Sequence, residues 1–423
     1  MKLNLENNRI DNIRPDAPEL APYGKYSIGV TTREFINKDQ IDILNTKSGL
    51  AAAIYNRRLI VEIWYPAIGT PMENKLGVYE DIITCDGITK VSLFGRAIRD
   101  DAPCISSAPY PLVIISHGYP GNRFLMSHLA ENLASKGYVV VSIDHTDSTY
   151  SDKSDFSSTL FNRPNDILFV LKCMNDLNNN SNEFQLSGMV DGDNSSLIGY
   201  SMGGYGVINA VGGGFNSSNT EYANSVPNKL LMKRQAGNLE YEESIDLRIK
   251  AAIAIAPWGW CEGFWDIKGL AGIRIPLFFM AGSNDTMVGY SPGVRNIFES
   301  CTKSDRYLLT FENAGHNAIA PIPAPKEVQQ APGPDACYWK HYADPVWDII
   351  RTNNIAQHFI TAFLGKYIKN DYAMNSYLKL IEKPNYSQTI LCTNKLKAIR
   401  SQGWKGFKIG GNAGLHFEHR KPI

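Results

Sequence analysis

Short runs of consecutive apolar residues, each ending in turn residues, constrain the fold of this chain more than any other feature. Runs such as 110–116 (YPLVIIS) and 138–143 (YVVVSI) have strand length and are apolar throughout, as strands buried on both faces are. Helical periodicity separates them and predicts helices near 124–136, 165–176 and 347–364. The predicted strands are 58–66, 110–116, 138–143, 196–200, 249–256, 276–281 and 307–311. Strands alternating with helices predict an α/β fold: a doubly wound, mostly parallel sheet with helices on both faces.

The rhythm of strands and helices also suggests how the chain is divided. We expect a catalytic domain at 55–370, preceded by a leader at 1–54 that packs on the core. Residues 371–423 form a C-terminal extension. Two stretches interrupt the rhythm, a polar insert at 212–246 that is a possible lid and a Pro- and Ala-rich active-site loop at 317–345.

Charge and cysteine content narrow the choice of function. Lys plus Arg and Asp plus Glu both number 42 among 423 residues. The chain therefore lacks the excess of basic residues that would indicate a nucleic acid partner. The seven cysteines are scattered without a CxxC pair, which argues against a disulfide framework or a structural zinc site. The polar N-terminus has no apolar signal segment and no stretch has the length of a membrane span. We therefore expect a cytoplasmic protein without a structural zinc site; the alternative is a secreted protein whose signal segment was removed.

The strongest chemical signal is the GxSxG pentapeptide at 199–203, which lies between a predicted strand and a helix-forming segment. That context places Ser201 on a tight turn that presents its hydroxyl above the sheet. The backbone N–H of Met202, at the start of the following helix, can stabilise a developing negative charge. We predict Ser201 as a nucleophile; a glycine-rich turn with an incidental serine is the alternative.

A serine hydroxyl needs a base, and the base needs an acid partner. His316 directly follows the predicted strand 307–311, and Asp285 follows the strand 276–281. The order Ser, Asp, His along the chain is that of α/β-hydrolases. Glu312 is the rival acid, but it lies so close to His316 in sequence that it cannot easily point back at it.

The second oxyanion donor is expected in the loop that follows the strand 110–116. Pro120 has no N–H, which leaves Tyr119 as the predicted donor with Gly121 behind it. His117 could be a second base, but we favour a role in holding this loop through side-chain hydrogen bonds.

Three aromatic residues follow strands near the predicted site: Trp258, Trp260 and Tyr290. Core packing is the usual role of such residues, and an apolar substrate pocket is the functional alternative.

Other polar clusters carry weaker signals. Residues 144–147 (DHTD) offer metal ligands, but no matching cluster completes a site, and a strand-end turn explains them better. Arg163 and Asp166 lie three residues apart near a helix start, which predicts a local ion pair or cap. No role can be inferred for His416 and His419.

With these motifs in place, the chain resembles the dienelactone hydrolase and platelet-activating-factor acetylhydrolase branch of the α/β-hydrolases. The resemblance spans roughly residues 55–365. The matching stretches are 61–66 (VEIWYP), 116–118 (SHG) with Gly121 and Arg123, 133–140 (LASKGYVV), 144–145 (DH) and 199–204 (GYSMGG).

The resemblance implies ester hydrolysis through an acyl-enzyme on Ser201, without a metal or an organic cofactor, and supports Tyr119 and Met202 as oxyanion donors. Two departures limit it. The acetylhydrolases place their acid one strand earlier, where this chain has no carboxylate at 254–258, and dienelactone hydrolases use cysteine where this chain has serine. The resemblance is therefore weak support for either phospholipid or dienelactone as the substrate.

We predict a serine hydrolase that cleaves a carboxylic ester of a small or lipid-like molecule. The alternatives are a lipase or phospholipid acetylhydrolase-like enzyme, an amidase, an acyltransferase, and a catalytically silent binding protein with the same fold.

Overall fold

The computed structural model describes residues 8–69, 77–180, 185–329, 337–382 and 403–423. The strands are β1 Ser27–Ile41, β2 Ile54–Ala67, β3 Gly77–Ile83, β4 Lys90–Gly95, β5 Ile98–Arg99, β6 Tyr110–Ser116, β7 Val139–Asp144, β8 Val190–Tyr200, β9 Ile249–Ile255, β10 Leu277–Gly282, β11 Arg306–Phe311 and β12 Leu415–Arg420. The α-helices are α1 Ser127–Ser135, α2 Phe156–Asn180, α3 Met202–Ala210, α4 Leu239–Glu243, α5 Ile267–Leu270, α6 Arg295–Ser300, α7 Lys326–Gln329, α8 Ile349–Tyr367 and α9 Asn375–Leu378.

The predicted α/β fold is confirmed by a ten-stranded, mostly parallel sheet surrounded by helices. Its strand order is β12-β11-β10-β9-β8-β6-β7-β2-β1-β5, and β6 to β11 run parallel to their neighbours among themselves. Helix α1 packs beside α8 and α2 beside α3. The apolar runs occupy the middle of the sheet, where almost every residue is buried, as their lack of alternation predicts.

Both ends of the chain add strands to this sheet. β1, from the predicted leader, pairs antiparallel with β2, and β12, from the predicted extension, pairs antiparallel with β11. Both strands mix buried residues with partly or fully exposed polar ones, so neither produces the continuous apolar run that marked the central strands. The boundaries near 54 and 370 stay a prediction. Residues 1–7, 330–336 and 383–402 of the predicted leader, active-site loop and extension lie outside the described residues.

A proline inside α2 links two helices behind the site. Pro164 has no N–H to donate to the Leu160 carbonyl one turn earlier, and the Tyr205 hydroxyl of α3 donates to that carbonyl at 3.0 Å instead. The contact fixes α2 against the helix that follows the pentapeptide.

Within the described part of the chain, none of the helices combines the length and the apolar character that a bilayer crossing requires.

Candidate active site

Ser201 lies on the turn between β8 and α3, at the carboxyl end of a central strand. Its backbone has φ 55° and ψ −114°, a conformation that side-chain-bearing residues adopt only when the surroundings hold them there. Three backbone bonds do so. The Ser201 N–H donates to Ile255 O at 2.8 Å, and the N–H groups of Tyr205 and Trp258 donate to Ser201 O at 3.1 and 3.2 Å.

The glycines of the pentapeptide are required by close backbone packing. A Cβ on Gly203 would overlap the Ser116 carbonyl oxygen at the end of β6, and a Cβ on Gly199 would overlap the carbonyl of Gly203. The turn can therefore sit directly against the strand ends only because both positions lack side chains.

The imidazole of His316 lies between Ser201 and Asp285. His316 Nδ1 is 2.8 Å from Asp285 Oδ2, and Nε2 is 2.9 Å from Ser201 Oγ. Because a carboxylate can only accept, Nδ1 carries the proton, and Nε2 is left to accept from the serine hydroxyl. This is the arrangement in which an imidazole removes a proton from a serine.

Asp285 is held so that only one of its oxygens faces the imidazole. Its side chain is fully buried just beyond β10. Oδ1 accepts the N–H groups of Met287 and Val288 at 2.9 and 3.1 Å, which leaves Oδ2 for His316. Glu312, the rival acid from the sequence, is exposed.

Two backbone N–H groups near Ser201 are available to bind an oxyanion. Met202 follows the serine at the start of α3, and Gly118 passes so close that a Cβ on it would lie 3.5 Å from Ser201 Cβ. Within the described chain, neither the Met202 N–H nor the Tyr119 N–H has a hydrogen-bond acceptor. The Tyr119 hydroxyl donates to Ser154 O at 2.6 Å, so the side chain of this residue is anchored away from its backbone N–H.

Aromatic rings form a continuous wall beside the serine. Trp258 packs edge-on to Phe156 at 5.3 Å, and Phe156 packs on Tyr119 at 4.9 Å; all three rings are partly exposed. Phe156 was not predicted, because it is the first residue of α2 and carries no periodic signal. Trp260 is half-buried against the core nearby, whereas the Tyr290 hydroxyl bonds Thr310 Oγ1 on β11 at 2.7 Å.

The 3₁₀ helix Cys337–Tyr342 is tied to the His316 loop. Asn317 Nδ2 donates to Lys340 O at 2.9 Å, and the Tyr200 hydroxyl donates to Asn317 Oδ1 at 2.6 Å. His341 follows, with Nε2 at 2.5 Å from the Tyr150 hydroxyl. Burial, followed by the nearby His316, lowers the pKa of His341 to about 4, so this imidazole is neutral at pH 7. Sequence reasoning missed it because it lies in a segment without strand or helix periodicity.

The 144–147 cluster is a hydrogen-bonded turn, as the favoured interpretation held. His145 Nε2 lies 2.9 Å from Ser116 Oγ, and its Nδ1 donates to Asp166 at 2.9 Å. Asp166 in turn forms a two-pronged ion pair with Arg57 at 2.7 and 3.0 Å. The expected local pair between Asp166 and Arg163 is therefore wrong, because Arg57 reaches both carboxylate oxygens from β2.

Among the described residues, one group brings three metal-ligating side chains together: Glu382, His416 and Glu418. It does not suit a cation, since Glu418 already pairs with Arg295 and Arg420.

The chain is similar to known proteins in one stretch of its sequence and in its fold. Residues 88–167 match the family model described as platelet-activating factor acetylhydrolase, isoform II. The structure resembles a ferulic acid esterase from Streptomyces cinnamoneus at a TM-score of 0.56 and 18% identity, covering 86% of this chain and 94% of that one. No curated protein matches the sequence significantly.

The two comparisons cover different properties of the chain. The chain has the α/β-hydrolase fold, and between residues 88 and 167 it resembles the platelet-activating-factor acetylhydrolases. This stretch contains the Tyr119 loop and the start of α2 but ends before Ser201. Asp285 and His316 also lie outside the matched stretch.

Proposed function

We propose that this protein is a serine esterase that hydrolyses a carboxylic ester through an acyl-enzyme on Ser201. The observation that carries the proposal is the unbroken chain of two hydrogen bonds from Ser201 Oγ through His316 to the buried carboxylate of Asp285. The matched family model is described as an acetylhydrolase and the similar structure as an esterase, which supports ester cleavage.

In the first half of the reaction, Ser201 Oγ attacks the ester carbonyl while His316 Nε2 takes its proton. The carbonyl electrons move onto oxygen, and the N–H groups of Met202 and Tyr119 stabilise that negative charge. The tetrahedral intermediate then collapses, the bond to the leaving oxygen breaks, and His316 returns the proton to the departing alcohol.

In the second half, His316 removes a proton from water, whose oxygen attacks the acyl carbon. The intermediate collapses again, the serine leaves with a proton from His316, and the carboxylic acid is released. Asp285 stabilises the imidazolium that forms twice in each cycle.

The aromatic wall of Tyr119, Phe156 and Trp258 supports an apolar group on the substrate. Partly exposed rings beside a nucleophile lose water on substrate binding, which favours an apolar acyl or alcohol part. Trp260 and Tyr290 stay predictions as pocket residues.

The test is turnover of p-nitrophenyl acetate by the wild type and by Ser201→Ala. We expect the variant to lose about a million-fold in kcat, and a fluorophosphonate probe to label the wild type but not the variant. Ser187→Ala, which changes an exposed serine that bonds only a neighbouring carbonyl, is the matched control and should behave as the wild type. Full turnover by a folded Ser201→Ala protein would refute the proposal.

A further inference from the structure

We propose that Arg163 is a positioning residue that orients the Tyr119 N–H toward the oxyanion and strengthens it as a donor. This inference rests on the proposed esterase function and concerns a residue behind the site, out of reach of substrate.

The guanidinium of Arg163 is bound to the carbonyls of the loop that carries Tyr119. Nη1 donates to His117 O, and Nη2 donates to Gly118 O at 3.4 Å and to Ser148 Oγ. The residue is only 1% exposed, so these bonds form away from water. A buried arginine that donates to two consecutive carbonyls fixes the path of the backbone between them.

The Gly118 carbonyl is the one that matters for catalysis, because it shares a peptide group with the Tyr119 N–H. In a planar trans peptide the C=O and N–H point in opposite directions. Arg163 Nη2 and the His117 Nδ1–H, at 2.7 Å, both hold that carbonyl, so they also fix the direction of the N–H. A Cβ on Gly118 would lie 3.5 Å from Ser201 Cβ, so the peptide that carries this N–H begins beside the nucleophile.

Arg163 does not pair with Asp166, the acid three residues away, because Arg57 already does so. Arg57 occupies both oxygens of Asp166, and it also pairs with Asp147 at 3.0 Å. Arg163 therefore forms no direct ion pair within the described residues and directs its N–H groups to the loop carbonyls.

The charge of Arg163 adds to the effect of its geometry. Burial lowers the pKa of Arg163 to about 9, which leaves it protonated at pH 7. A cation bound to the oxygen of a peptide draws electron density from the N–H on its other side. A hydrogen bond from that N–H to an oxyanion is then stronger in this low-dielectric surrounding.

Helix α3 is shaped around the arginine. A Cβ on Gly206 would lie 2.5 Å from Arg163 Cγ, so alanine at this position must displace the arginine stem. Gly206→Ala therefore shifts Arg163 without removing its charge, and it provides a second, milder test.

The experiment compares Arg163→Met, Arg163→Lys and Gly206→Ala with the wild type on p-nitrophenyl acetate. For Arg163→Met we expect kcat to fall about 10- to 100-fold with KM changed less than threefold, since the donor acts on the transition state. The inhibition constant of an aryl trifluoromethyl ketone, whose serine adduct carries an oxyanion, should rise by the same factor. Arg163→Lys keeps the charge and should recover part of the loss.

A matched control separates positioning from a loss of stability. Arg234 is a partly buried arginine between α2 and α3, where it donates to Asn165 and Asn209 at 2.6 and 3.1 Å, away from the loop. Arg234→Met should lower the melting temperature but leave kcat within twofold.

The outcomes distinguish this inference from the function on which it rests. If Arg163→Met does not fold, Gly206→Ala must show a several-fold loss in kcat at a near wild-type melting temperature. Unchanged kcat and unchanged ketone inhibition in the folded variants would overturn the role of Arg163 while Ser201 of the wild type is still labelled by a fluorophosphonate. A wild type that is neither labelled nor active would overturn the esterase proposal and this inference together.

Discussion

Asp285→Asn is the substitution whose effect on catalysis follows most directly from the hydrogen bonds of the structure. Oδ1 of Asp285 accepts two backbone N–H groups, so in the variant the amide oxygen must take that place. The amide NH₂ then faces His316 Nδ1, which has to accept rather than donate. The imidazole proton moves to Nε2, the nitrogen that faces Ser201 Oγ. A protonated Nε2 cannot accept the proton of the serine hydroxyl, so His316 no longer acts as a base.

The size of the effect follows from this wrong tautomer. In serine hydrolases, the same exchange of aspartate for asparagine lowers kcat about 10⁴-fold while the geometry is kept. We expect a loss of that order for p-nitrophenyl acetate, with the fold intact by circular dichroism because the two backbone bonds to the amide oxygen survive. The assay should be run at several pH values, since a change of tautomer is not restored by raising the pH to about 9.

The matched control is Glu312→Gln, which changes the rival carboxylate in the same way at an exposed position. It should leave kcat within twofold. If Asp285→Asn lost less than tenfold, or if Glu312→Gln lost more, the reasoning that assigns Asp285 as the partner of His316 would be refuted.

Three further predictions follow from packing and burial. Gly203→Ala should abolish measurable turnover and lower stability by about 1–3 kcal/mol, because the new Cβ overlaps the Ser116 carbonyl; Gly403→Ala, with open space around it, should leave turnover and melting temperature unchanged. Trp258→Ala should lower kcat/KM for p-nitrophenyl hexanoate about tenfold more than for the acetate, and equal losses on both esters would count against an apolar wall. Burial lowers the pKa of His128 to about 3 in the folded chain, against about 6.5 when it is unfolded. The unfolded chain therefore binds a proton between these values that the folded chain does not. Stability falls as the pH drops below about 6.5, and His128→Gln should reduce that slope by up to about 1.4 kcal/mol per pH unit in urea unfolding at pH 7, 6 and 5. An unchanged slope would contradict this account.

The sequence predicts the centre of the sheet well because strands buried on both faces appear as continuous apolar runs. The predicted strand 110–116 coincides with β6, and the runs at 249–256 and 276–281 differ from β9 and β10 by one residue at the ends. Edge strands are different: β1 and β12 carry polar residues on their exposed side, so they resemble the loops around them. Their place in the sheet is decided by pairing with distant strands, which no local pattern shows.

The residues proposed for catalysis could be proposed from sequence because each follows the end of a parallel strand. The carboxyl ends of such strands meet at one edge of the sheet. A position just after a predicted parallel strand is therefore enough to predict that Ser201, Asp285 and His316 lie close together. The structure gives the distances that the sequence could not, 2.8 and 2.9 Å. Phe156 and His341 were missed because one lies at the start of a helix and the other in an irregular segment. No sequence pattern indicates which such positions lie near the carboxyl ends of the strands.

Arg163 shows where this kind of sequence reasoning fails in physical terms. Spacing of three residues on a helix predicts that Arg163 and Asp166 pair, and that pair would be worth only a few tenths of a kcal/mol at a surface. In the interior, each charge instead takes the partner that best offsets the cost of burying it, and that partner can come from anywhere in the chain. Arg57 reaches Asp166 across 109 residues, and Arg163 reaches the carbonyl of Gly118 across 45. A buried charge near a proposed active site therefore has to be assigned from its three-dimensional partners, and here those partners lead to the peptide of Tyr119.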